Sequence, residues 1–151
     1  MRIARDGTFA QLGTTPLTTV PLAEAADAPN LVFRTSAATP WLGLKTPPSL
    51  NREGNDAVCG GEHSIDGDPW IETDVTGPGL LSFRMELGAQ TNGAGNEQNA
   101  LSLDGVTVPA PPPAGTQRQR LLAVPAGTHT VRWTQRGSRA LTAAGSVLWL
   151  D

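Results

Sequence analysis

The chain has no tyrosine, one cysteine, three phenylalanines and two methionines among its 151 residues. A lone cysteine, Cys59, cannot close an internal disulfide, which excludes the small secreted scaffolds that replace a core with cross-links. Eleven basic residues stand against 14 acidic ones, for a formal charge of −3. The basic residues are ten arginines and Lys45, and they are scattered. Such a chain lacks the concentrated positive field that nucleic-acid phosphates or an anionic membrane surface require. No apolar run approaches the roughly 18–20 residues that span a bilayer, so membrane insertion by a helix is not expected. The opening Met1-Arg2-Ile3-Ala4-Arg5-Asp6 carries no apolar signal-peptide core, which leads to the expectation of a chain made without secretion or cut from a longer one. Glycine-rich phosphate loops, zinc-ligand spacings and dinucleotide fingerprints are also missing.

Abundant are turn formers, 17 glycines and 13 prolines, lying between apolar runs and not in one tract. That distribution suits many short strands. A single domain of this length buries about 68–70% of its unfolded surface, enough for a core without staples.

Alternation of period two places the strands. In Gly79 to Leu87, Leu81, Phe83, Met85 and Leu87 share one face, and Ser82, Arg84 and Glu86 share the other. In Trp70 to Thr76, Ile71, Thr73 and Val75 oppose Glu72, Asp74 and Thr76. Thr76-Gly77-Pro78-Gly79 reads as a turn joining these two strands into a hairpin. Asp104-Gly105, between Leu101-Ser102-Leu103 and Val106-Thr107-Val108, is a strong signal for a second, tight hairpin, because both central residues of such a turn need positive φ. Arg118 to Val124 and Thr128 to Arg136 flank Pro125-Ala126-Gly127, and a last strand runs from Ser146 to Leu150. The one stretch with helical character is Pro21 to Ala28. Thr39–Asp68, Ala89–Asn99 and Pro109–Thr116 read as long loops. Leu81, Phe83, Met85, Val131 and Trp133 are the expected core, together with Trp70 and Trp149.

The fold expected is all-β, a two-sheet antiparallel jelly-roll sandwich with an extended N-terminal arm. Residues 1–28 would be that arm or an added strand, and residues 29–151 the sandwich domain. Ile3, Phe9, Leu12, Leu17 and Val20 are too apolar for a solvated tail and read as assembly contacts, with strand addition to a neighbouring subunit as the mode.

The segment Trp70 to Phe83, followed by Leu101 to Val106, Val124 to Trp133 and Leu148-Trp149-Leu150-Asp151, resembles a jelly-roll module repeated in large bacterial surface proteins. The resemblance covers residues 22–151 and implies a lectin-like sandwich, related in shape to carbohydrate-binding modules, with no catalytic residues to carry over. Where such modules have further aromatics after the Ser-Phe pair, this chain has Arg84-Met85-Glu86.

Candidate site residues are few. His63-Ser64 with Asp66 and Asp68 offers the residue types of a hydrolytic triad, but neighbours in sequence rarely reach one another in triad geometry, and loop hydrogen bonding is the better reading. His129 reads as structural. Glu53, Asp56, Glu62, Asp66, Asp68 and Asp151 include the oxygen ligands that a loop-pinning calcium ion would use, with Asp56, Asp66, Asp68 and Asp151 as the set, although ordinary loop acids explain them too. No other cofactor is expected. Trp41, in a loop, is the one candidate for stacking against a sugar, but core packing is the better reading.

The function expected from these readings is non-catalytic. The first reading is a structural protein of a larger assembly, a bacteriophage virion surface or capsid-decoration protein with partners in a homo-oligomer or shell. The alternative is a glycan-binding or adhesive module of a bacterial cell-surface protein, located outside the cell.

Overall fold

The computed structural model describes residues 18–45, 56–60, 67–87, 99–109, 118–135 and 148–150. In chain order these hold β1 (Thr19–Val20), α1 (Leu22–Ala25), β2 (Phe33–Thr35), β3 (Leu42–Lys45), β4 (Asp56–Cys59), β5 (Trp70–Leu87), β6 (Asn99–Leu103), β7 (Val106–Val108), β8 (Arg118–Gln135) and β9 (Leu148–Leu150). All the strand pairings described are antiparallel. The fold is all-β, an antiparallel two-sheet sandwich.

A single ribbon builds both sheets. β5 and β8 are each 18 residues long and pair along most of their length, from Trp70↔Thr134 to Met85↔Arg118. Phe83 nevertheless meets Trp133 edge to face, with ring centroids 5.3 Å apart. Trp133 is in register with Ile71, and on a straight strand at about 3.3 Å per residue Phe83 would lie about 40 Å further on. The ribbon must therefore fold back on itself. Its first half, with β2, β6 and β7, forms one sheet; its second half, with β9, β4, β3 and β1, forms the other.

The fold-back lies where the sequence reading placed two separate turns. Thr76-Gly77-Pro78-Gly79 does not end a hairpin; it is a bulge within β5, where the register shifts between Gly77 and Gly79. Gly77 pairs with Gly127 and Gly79 with Val124, so Pro78 lies opposite Pro125-Ala126. Neither proline has an N–H to give a ladder, and both sit where the ladder is interrupted. The two turn signals face each other and become the corner of the sandwich, as bulges do where strands switch sheets. Gly77 is required there, because a Cβ on it would collide with the Pro125 carbonyl oxygen.

Asp104-Gly105 forms the tight hairpin expected, with Leu103↔Val106 closing it and φ of 51° and 79° at the two turn residues. The segment 39–68, read as a loop, holds β3 and β4, which pair from Leu42↔Cys59 to Lys45↔Asp56. Four-residue strands carry too few alternations to be recognised locally. Val20 pairs with Gly43 in the same chain and packs against the core, while Ile3, Phe9, Leu12 and Leu17 lie outside the described residues.

The core lies between the sheets and joins Trp41, Val58, Ile71, Val75, Phe83, Val131 and Trp133 with Ala25 of α1. Leu81 packs against it from the side. The side chains of Met85, Leu87 and Trp149 are outside the described set. On the outer face of the second sheet Leu80 and Leu121 stand 71% and 67% exposed.

Candidate functional site

Side chains of the first sheet that point away from the core form a continuous polar surface. Period-two alternation sends Ile71, Thr73 and Val75 inward, and Trp70, Glu72 and Asp74 outward. Strand register then lines up Arg34, Glu72, Arg132, Ser102 and Thr107 in one row across β2, β5, β8, β6 and β7. Asp74 and Thr130 lie opposite each other in the adjacent row.

Glu72 is the centre of this row. Its carboxylate accepts from Arg34 Nε at 2.9 Å and from Arg132 Nε at 2.7 Å, and Arg132 Nη2 lies 2.6 Å away. Burial pushes the Glu72 carboxyl up, but the hydrogen bonds from the two arginines outweigh it and the net direction is down. Arg34 also grips Asp74 with both terminal nitrogens at 2.8 Å, and the Thr130 hydroxyl donates to the same carboxylate at 2.7 Å. Hydrogen bonds from Arg34 and Thr130 lower the Asp74 carboxyl to about 2. Asp74 in turn holds the Arg34 guanidinium above its ordinary value. The Arg132 guanidinium lies over the ring of Trp70, 4.4 Å from its centroid. Both arginine side chains remain 44% exposed, so this is an ordered but open surface.

The network continues to one end of the sheet. Thr130 N donates to Asp104 Oδ1 at 2.9 Å, and Asp104 Oδ2 lies 2.7 Å from His129 Nδ1. Residues from β2, β5, the β6–β7 turn and β8 are thus linked, from Glu72 to His129, by charge-assisted bonds.

Sequence reading placed Trp70 in the core; it lies half-buried on the outer face under Arg132. The signal was present, since Trp70 shares the phase of Glu72 and Asp74. Trp41, the one candidate for a sugar platform, is 1% exposed and belongs to the core, the reading preferred from sequence, so neither face of its ring is open to a ligand. Its backbone N–H donates to the Thr35 hydroxyl at 2.8 Å, tying the segment before β3 to β2. Of the calcium set, Asp66 and Asp151 lie outside the described residues and Asp68 is exposed. Asp56 is half-buried at the start of β4; burial, and then the charges of Asp27 and Glu24, push its carboxyl up. Among the described residues no three His, Cys, Asp or Glu side chains gather as a metal site. His63 and Ser64 lie outside the described residues, and Cys59 is buried with its thiol donating to the Gly60 carbonyl at 3.4 Å.

The class defined by this geometry is a β-sandwich with a charged outer face. No family model and no curated protein matches the chain. Solved structures do. The secreted serine protease VesC from Vibrio cholerae aligns with a TM-score of 0.57 at 15% identity, over 89% of this chain and 27% of the protease. The K1 cleaved adhesin domain of Lys-gingipain from Porphyromonas gingivalis W83 aligns with a TM-score of 0.50 at 17% identity, over 91% of this chain and 95% of that domain. At these identities the likeness is one of fold. The chain spans about a quarter of the protease's length.

Proposed function

We propose that the chain is a non-catalytic binding module of adhesive type belonging to a bacterial surface or secreted protein, with the outer face of the first sheet as its binding surface. The observation that carries this reading is the match to the K1 adhesin domain, which extends over 95% of that domain. The protease match adds a second instance of this sandwich shape, there as a minor part of a larger secreted protein. Long strands that bend from one sheet into the other also favour a jelly-roll variant over a simple up-and-down sandwich. The bacteriophage virion reading rests on composition and the N-terminal arm, and has less behind it.

The ligand assigned to the face is a glycan. Arg34 and Arg132 are positioned by Glu72 with unused N–H groups at their exposed edges, and the Ser102, Thr107 and Thr134 hydroxyls lie in the same and adjacent rows. Rigid guanidinium forks beside hydroxyls match the donor and acceptor pattern of a polyhydroxylated chain. The full chain would be applied to immobilised dextran, mucin-type glycan and heparin, beside Arg132→Ala and Arg34→Ala. Binding of the parent to one of these, reduced tenfold or more in the variants without a matching loss of fold, is the expected result. Equal binding by a folded double variant overturns the face as the site. Binding to none, with recovery of the native protein from phage particles, overturns the module reading.

A further inference from the structure

We propose that His129 is a pH-sensitive latch, an imidazolium that clips the tip of the β6–β7 hairpin to the bend of β8 and loosens that clip when it gives up its proton. The inference is independent of what the outer face binds.

The geometry places an acceptor beside each nitrogen of one ring. His129 Nδ1 lies 2.7 Å from Asp104 Oδ2, and Nε2 lies 3.3 Å from the Ala126 carbonyl oxygen. A carboxylate oxygen and a carbonyl oxygen only accept. Neutral imidazole carries one N–H and can satisfy one of them, whereas the imidazolium satisfies both. Asp104 cannot easily turn away, because the tight turn fixes its backbone at φ 51°. Its own N–H donates to the Thr130 carbonyl at 2.9 Å, and its Oδ1 accepts from Thr130 N at 2.9 Å. The hairpin tip is therefore held to β8 by two bonds that do not titrate near neutrality and by a third, from His129, whose charge assistance does.

Charged groups on the neighbouring elements leave Asp104 as the partner. On β5 the residue opposite His129 is Val75, flanked by Asp74, whose carboxylate is occupied by Arg34 and Thr130. On β8 itself Arg132 is engaged with Glu72, and on β2 Arg34 is engaged with Glu72 and Asp74. The hydrogen bond to Asp104 raises the His129 pKa above 6.5 against the opposing effect of desolvation, and the same bond lowers the Asp104 carboxyl. A raised folded-state pKa means that the stabilisation is complete below the unfolded value, and is lost as pH rises through the folded one. On deprotonation the remaining N–H stays with the carboxylate, the Ala126 carbonyl loses its donor, and Asp104 loses its cation.

What the latch governs is an edge. Among the described residues β7 is the last strand of its sheet, and Val106 on it is 71% exposed. A hairpin tip held more tightly at acid pH than at alkaline pH changes how firmly that strand is fixed to its sheet.

The test uses the full chain. The His129 ring would be titrated by NMR, and protection of the Asp104 and Thr130 amides measured by hydrogen exchange at about pH 5.5 and about pH 8, corrected for intrinsic rates. Expected are a His129 pKa above the ordinary value, a several-fold fall in protection at the higher pH, and no such fall in His129→Gln. A ring that titrates at or below its ordinary value overturns the latch, as does an equal fall in His129→Gln. Should that variant fail to fold, the titration of the parent ring still decides.

Discussion

Phe83 and Trp133 come from opposite halves of the bent ribbon, so their contact is both part of the core and the point where the two sheets are joined. Truncating Phe83 to alanine leaves a cavity beside the indole and should cost about 3–5 kcal/mol, read from urea melts. A cost below about 1 kcal/mol would mean the ring is not enclosed between the sheets. On the outer face Asp74 gives a prediction in acid. Its folded-state pKa is depressed to about 2, so its contribution is complete above the unfolded value near 3.9 and disappears as pH falls toward 2. Asp74→Asn should therefore melt below the parent at neutral pH and converge with it at about pH 2. A difference that stays constant across that range would show that the Arg34 grip does not contribute through charge.

Glycines in the long strands differ sharply in what surrounds them. At Gly77 a Cβ would meet the Pro125 and Val124 carbonyl oxygens, whereas at Gly79 nothing lies within 4 Å. Gly77→Ala should cost about 1–3 kcal/mol in a thermal or urea melt, because backbone on the partner strand has to move. Gly79→Ala, two residues away, should be close to neutral. Similar losses at both positions would contradict the corner as described. The same elements show why one hairpin was legible and another was misread. Asp104-Gly105 states its turn through local φ preferences, which act whatever the rest of the chain does. Thr76-Gly77-Pro78-Gly79 has equally good turn chemistry, but Pro125-Ala126-Gly127 lies across from it, and pairing between the strands recruits both signals into one bend.

For the molecule as a whole, the N-terminal segment is the part whose role most needs a direct measurement. Thr19 and Val20 are already committed to β3 through Leu44 and Gly43, with Lys45 N donating to the Thr18 carbonyl at 2.8 Å. Removing residues 1–17 should thus leave the melting midpoint nearly unchanged, while a cut through Val20 should lower it. If Ile3, Phe9, Leu12 and Leu17 are assembly contacts, as their apolar spacing suggests, the shorter truncation should also reduce the mass measured by light scattering from oligomer to monomer. An unchanged mass would remove the segment from any assembly role. What the sequence determined by itself was local: the inward phases of Ile71, Thr73, Val75, Leu81 and Phe83, the Asp104-Gly105 turn and the scarcity of helix all follow from alternation and φ preferences within a few residues. The tertiary structure decided that Trp41 is buried, because strands distant in sequence enclose it, whereas the outward place of Trp70 follows the local phase it shares with Glu72 and Asp74. It also decided the outer-face network, since Arg34, Glu72, Asp74, Asp104 and Arg132 meet only when β2 pairs with β5 and β6 pairs with β8. Those pairings are long-range, and no residue's immediate neighbours specify them.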